Sequence, residues 1–199
     1  MSVYDLSKYQ PAGRIEALVN SGKCDGVILK LGERKETTGE IEFDPMFITH
    51  VNEAVRFNLP YGIYIMSRAN NAEEMLQEAQ WVNDRIYELL NSRLPALGVW
   101  IDLERPEVQR DDVWEDTHYV IQQMRSWWTT DRVGIYASRS YFTGRLDLDA
   151  IAVEKIPVWT ADYHSDYDIL KTDYPDLRVV LWQFTTNGNT QDENVWYGF

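Results

Sequence analysis

The chain of 199 residues has one cysteine, which excludes an intramolecular disulfide framework and any multi-cysteine zinc site. Long apolar runs are missing as well. Nothing approaches about 18 consecutive apolar residues, so no transmembrane helix is expected. The opening Met1-Ser2-Val3-Tyr4-Asp5 has no basic stretch leading into an apolar one, so no secretory signal is expected there. Positive charge is scarce. With 19 Lys+Arg against 32 Asp+Glu the net charge is −13, which argues against nucleic acid, whose binders present a basic face, and against recruitment to anionic membranes. His50, His118 and His164 lack metal-ligand spacing, so neither a metal nor a cofactor is expected. There is no Gly-x-Ser-x-Gly elbow and no Walker loop. Aromatic residues, in contrast, are plentiful: eight Trp and twelve Tyr in a composition otherwise ordinary for a folded domain.

Short apolar runs alternate with amphipathic ones. Val3 to Leu6, Val27 to Leu31, Tyr61 to Ile65, Leu97 to Leu103, Arg132 to Tyr136, Ile156 to Trp159 and Val179 to Phe184 read as strands. Met75, Ala79, Val82, Ile86 and Leu89 stripe one face of a helix, and 113–128 repeats the pattern with Met124 and Trp127 or Trp128 on its core face. Weaker helices are expected at 12–20 and 45–58. Strands alternating with helices imply a parallel sheet within one domain, and no linker divides the chain. A closed (β/α)8 barrel needs about 200 residues at the least, so a barrel here must have shed outer helices, most of them in the last third. An open doubly wound sheet is the competing architecture, but Tyr9-Gln10-Pro11-Ala12-Gly13 is not the Gly-rich turn that follows its first strand.

Strand alternation places Trp100, Asp102 and Glu104 on one face and Val99, Ile101 and Leu103 on the other. In a barrel the aliphatic face meets the helices, so the carboxylates point inward at the C-terminal rim, where such barrels keep their active sites. Asp5, Lys30, Tyr64, Tyr136 and Trp159 fall in the same way. Acids beside aromatic faces suit a glycan, because rings stack on sugar C–H faces while carboxylates supply acid and charge stabiliser. Two carboxylates two residues apart on a strand resist joint ionisation, so one pKa rises toward that of a general acid. Glu104, with the longer reach, is the expected acid. Plainer readings exist: Asp5 as a cap on the turn Ser7-Lys8-Tyr9, Lys30 as neutralising partner of an acid, Cys24 as a small buried hydrophobe.

Together these motifs are recognisable. Tyr4-Asp5-Leu6-Ser7-Lys8-Tyr9-Gln10, Ile28-Leu29-Lys30-Leu31-Gly32-Glu33, Leu59-Pro60-Tyr61-Gly62-Ile63-Tyr64 and Trp100-Ile101-Asp102-Leu103-Glu104 come first. Val133-Gly134-Ile135-Tyr136, Pro157-Val158-Trp159-Thr160-Ala161-Asp162-Tyr163, Leu181-Trp182-Gln183-Phe184 and Asp192-Glu193-Asn194 follow in order. The chain resembles glycoside hydrolase family 25, the lysozymes (N-acetylmuramidases) common in phage endolysins. The resemblance implies an irregular α/β barrel of TIM type with about five β/α units, then three strands with few helices. It implies hydrolysis of the β-1,4 bond between N-acetylmuramic acid and N-acetylglucosamine, with bacterial peptidoglycan glycan strands as the partner.

By that pattern Glu104 protonates the leaving oxygen, Asp102 orients or stabilises the reacting sugar, and Asp5 and Asp192 complete the acidic floor. Lys30, Glu33, Tyr64, Trp100, Tyr136, Trp159 and Tyr163 are the expected substrate-binding residues. The chain departs from the family at Arg34, where glycine is usual, at Tyr64-Ile65-Met66 in place of Tyr-His-Phe, and in the short stretch between Gly188 and Asp192. A sugar-binding module without catalysis, or a structural component of a phage particle, would use the same fold. Residues 1–199 are expected to form one catalytic domain without a wall-binding repeat. It would be a monomer made in a host cytoplasm and released to the wall, or part of a larger secreted or phage protein.

Overall fold

The computed structural model describes residues 1–90, 93–185 and 192–199. In chain order the strands are β1 (Ser2–Leu6), β2 (Gly26–Arg34), β3 (Ile41–Phe43), β4 (Tyr61–Met66), β5 (Val99–Asp102), β6 (Val133–Ser138), β7 (Val158–Ala161), β8 (Val179–Thr185) and β9 (Asp192–Trp196). The helices are α1 (Arg14–Asn20), α2 (Phe47–Arg56), α3 (Ala72–Leu89), α4 (Val113–Trp128), α5 (Arg139–Arg145), α6 (Leu148–Val153) and α7 (Ile169–Asp173). β1 pairs in parallel with β2 and antiparallel with β9, and this double pairing closes the sheet. The ring runs β1-β2-β4-β5-β6-β7-β8-β9, with β3 attached to the edge of β2 as a hairpin. It is a closed barrel of eight strands, as expected, and not an open sheet. Outer helices thin toward the C-terminus: α7 has five residues, and none is described between β8 and β9.

The helices form for ordinary reasons. α3 begins where Asn71 accepts from the Glu74 amide, and buries Met75, Ala79, Val82 and Ile86 against the barrel. α4 buries Val113, Thr117, Val120, Ile121 and Met124. Trp127 is exposed and Trp128 only half-buried, its indole donating to Asn83 Oδ1 at 2.8 Å, so Trp127 does not belong to the core face the sequence suggested. One core lies between sheet and helices; a second fills the barrel.

That interior is layered by the two-residue period of the strands. Val3, Ile28, Trp100, Trp159 and Leu181 occupy it toward the base, capped by Trp196 and Phe199. Gly134 makes room for Trp100: a Cβ there would come within 2.6 Å of the indole Cζ3 and against the Pro157 carbonyl. The next inward positions toward the rim are Asp5, Lys30, Tyr64, Asp102, Tyr136 and Gln183.

Candidate active site

Each parallel strand delivers its inward polar residue at its C-terminal end. β9 runs the other way, so its first residue reaches the same rim, and the pairing register sets Asp192 directly opposite Asp5. Asp5, Asp102, Glu104 and Asp192 therefore line one small recess of about 80 Å³ with Tyr64, Met66, Tyr136, Trp159 and Gln183. A larger cleft of about 440 Å³ shares Asp5, Tyr64, Met66, Glu104 and Asp192 with it and extends over Lys30, Glu33, Tyr9, Arg68 and Arg105.

Asp5 does not cap the turn after β1. Gln10 Oε1 accepts from the Ser7 amide and Asp44 Oδ2 from the Lys8 amide, each at 2.8 Å. Asp5 Oδ2 instead accepts from Gln183 Nε2 at 2.8 Å and Asn194 Nδ2 at 2.9 Å. Both amides are oriented from behind. The Tyr136 hydroxyl donates to Gln183 Oε1 at 2.8 Å, that of Tyr163 donates to the same oxygen at 2.5 Å, and Trp159 Nε1 donates to Asn194 Oδ1 at 2.7 Å. Burial, and then the charge of Asp192, lift the Asp5 pKa from the ordinary 3.8 to about 7, against the pull of the two amides.

Asp102 is 2% exposed, whereas Glu104 lies beyond the end of β5 and is exposed. The Glu104 amide donates to Asp102 Oδ1 at 3.1 Å. Burial, and then the neighbouring Glu104, push the Asp102 pKa well above the usual range. The sequence led us to expect one raised pKa in this pair; a raised pKa falls on Asp102, because desolvation acts on the member that the barrel encloses.

Lys30 and Glu33 are three residues apart, a spacing that puts side chains on opposite faces of a regular strand. They nevertheless share the cleft. The pairing of β2 with β4 slips between Lys30 and Gly32, and this bulge turns Glu33 back toward Lys30. Lys30 Nζ lies 3.0 Å from Glu33 Oε2 and Lys8 Nζ 3.1 Å from Oε1. Although burial opposes ionisation, these two cations hold Glu33 below the usual carboxylate range. Lys30 thus neutralises Glu33 directly and also favours the charge of Asp102.

The aromatic residues divide. Tyr64 lines both spaces, and Tyr136 and Trp159 line the recess. Trp100 lines neither. It is fully buried, donates from Nε1 to Leu97 O at 2.8 Å and stacks on Phe199, so its expected contact with substrate is corrected to a packing role one layer below the rim. Tyr163 is 40% exposed beside the recess, where its hydroxyl holds Gln183. Tyr9, quoted above only as part of a motif, is the 71% exposed ring of the cleft. Gln183, Asn194, Arg68 and Arg105 are further site residues that strand alternation alone did not single out.

The departures have structural accounts. Arg34 pairs with buried Glu78 at 2.8 Å and donates to the Gly39 and Glu74 carbonyls, tying the β2–β3 hairpin to α3. Met66 Sδ accepts from Lys30 Nζ at 3.5 Å and Arg105 Nε at 2.8 Å. The stretch from Gly188 to Gln191 lies outside the described residues. Among those described, no group of three His, Cys, Asp or Glu is arranged to hold a metal, and no helix is long and apolar enough to cross a membrane.

Solved structures share this barrel. The modular autolysin LytC from Streptococcus pneumoniae superposes with a TM-score of 0.76 at 20% identity, over 98% of this chain and 46% of that one. LytC has also been solved with a synthetic peptidoglycan ligand. The catalytic domain of endolysin ply40 from bacteriophage P40 of Listeria monocytogenes gives 0.74 at 18% identity, over 98% and 92%. A muramidase from Acremonium alcalophilum gives 0.74 at 15%, over 100% and 94%. The chain spans about half the length of the autolysin. A comparison with curated proteins finds no match. At these identities the superpositions speak for the fold; the sequence itself speaks for more. The model of the glycosyl hydrolases family 25 matches residues 4–193, nearly the entire chain, and with the barrel and its acidic recess this makes the protein a member of that family.

Proposed function

We propose that the protein hydrolyses peptidoglycan, cleaving the β-1,4 bond between N-acetylmuramic acid and N-acetylglucosamine. The observation that carries this reading is the convergence of Asp5, Asp102, Glu104 and Asp192 in one recess at the end of an open cleft. The autolysin, endolysin and muramidase likenesses support it.

Glu104 is the acid. It is the exposed member of its pair and opens into the cleft, where the leaving oxygen of a bound strand would lie. Asp102, enclosed beneath it, retains a proton into a range where an ordinary aspartate has lost it. A strand laid over the recess excludes water and closes the Asp102–Glu104 pair, with the proton it holds, against the leaving oxygen. Glu104 then protonates the leaving oxygen, and Asp102, left charged, steadies the positive charge developing on the sugar and orients its N-acetyl group. Water completes the hydrolysis. Asp5, held by Gln183 and Asn194, forms the opposite wall with Asp192.

Release of glycan fragments from purified bacterial walls tests the proposal. Glu104→Gln should lower turnover at least about 100-fold, since positioned proton transfer contributes 10²–10⁴-fold. Asp102→Asn should cost less, because the acid stays in place. Unchanged activity in Glu104→Gln sinks the assignment, and tight binding without turnover by the unaltered protein at any pH points to a sugar-binding module instead.

A further inference from the structure

In a chain of net charge −13, four cationic residues line the cleft: Lys8, Lys30, Arg68 and Arg105. Three of the four are answered by the protein. Lys8 and Lys30 share Glu33, and Arg68 Nη1 lies 2.7 Å from Glu107 Oε1. Arg105 is different. Among the described residues no carboxylate stands at ion-pair distance from its guanidinium, and its hydrogen bond runs from Nε to the sulfur of Met66. A thioether is a weak acceptor, so that contact leaves the guanidinium without an ion-pair partner, although its charge also favours that of Asp102. The terminal nitrogens have no protein acceptor among the described residues. Arg105 is also half-buried and adjoins Glu104, so a partly desolvated, oriented cation stands beside the exposed carboxylate of the site.

A guanidinium whose terminal nitrogens meet no protein acceptor among the described residues suits a planar oxyanion taken in bidentate fashion. We propose that Arg105 binds a carboxylate carried by the glycan strand and so makes the cleft prefer acidic strands to neutral ones. This rests on the reading of the cleft as a peptidoglycan site. The carboxylate is that of the lactyl ether on muramic acid or of the peptide attached to it; both present the same group to the same fork.

Equilibrium binding of three thio-linked tetrasaccharides, which no hydrolase turns over, tests this. One carries free lactyl carboxylates, one the same groups capped as methylamides, and one lactyl groups joined to a short acidic peptide. The wild-type protein should bind at least one acidic form about tenfold more tightly than the capped one, as expected for a hydrogen-bonded charge pair. Arg105→Gln should erase that difference, and Arg105→Lys should keep part of it. Preference for the free lactyl form assigns the group to the sugar, and preference for the peptide form assigns it to the peptide. Equal binding of all three by the wild type, or a loss in Arg105→Gln that is the same for charged and capped forms, overturns the role of Arg105 alone. Failure to bind any of the three strikes at the peptidoglycan reading itself, which the wall-digestion assay tests separately.

Discussion

Asp5 shows how far one residue's character depends on its surroundings. In the unfolded chain it is an ordinary aspartate; in the barrel its pKa stands at about 7. Between about pH 4 and 7 the folded protein therefore holds a proton that the unfolded chain has released, so stability falls as pH rises through that window and levels off above it. The whole effect is at most about 4 kcal/mol, from roughly three pKa units. Asp5→Asn carries no such proton, and its melting temperature should decline less than the wild type's between pH 4 and 8; parallel curves would contradict this. The sequence identified Asp5, Asp102 and Glu104 through the two-residue period of their strands. It was silent on which of them would be desolvated, because burial at the end of a strand is set by what the neighbouring strands bring. Trp100 shows the same limit. Its inward direction was legible, but its depth, one layer below Asp102, was not.

Whole elements carry the next level of the design. The bulge in β2 lets Lys30 and Glu33 face the same cleft despite their odd spacing, and the reversed direction of β9 brings Asp192 to the rim. Neither could be read from hydrophobic period, since a slip of pairing and a strand's direction are properties of the partner strand. The first four helices, in contrast, lie close to where their apolar stripes and breakers placed them, with 113–128 matching α4 residue for residue. Packing between elements makes its own prediction. Gly134→Ala puts a methyl group into the space of Trp100 and the Pro157 carbonyl, and should destabilise the barrel by about 1–3 kcal/mol, the usual cost of overfilling a packed interior. Gly144→Ala, in α5 with nothing within 4 Å, should be neutral or stabilising by up to about 1 kcal/mol. Denaturant midpoints of the two variants check the contrast.

For the molecule as a whole, the charge of −13 and the arginine of its cleft act over different ranges. The net charge should repel anionic wall polymers such as teichoic acids, a repulsion screened beyond about 10 Å at 0.1 M salt. Arg105 acts at contact. Moderate salt should therefore speed digestion of teichoic-rich walls while weakening the binding of a short acidic saccharide, and a monotonic fall in digestion with salt would contradict the first half. From periodicity, composition and the order of its motifs, the chain already declared an acidic α/β barrel with its acids at one rim, because those features depend on which residues lie two or four positions apart. The pairing of Gln183 and Asn194 on Asp5, the enclosure of Asp102 and the setting of Arg105 against Met66 came only with the tertiary structure. Closure brings β1 against β9, the pairing of β4 with β5 sets the loops after them beside each other, and desolvation and hydrogen bonding depend on those neighbours in space.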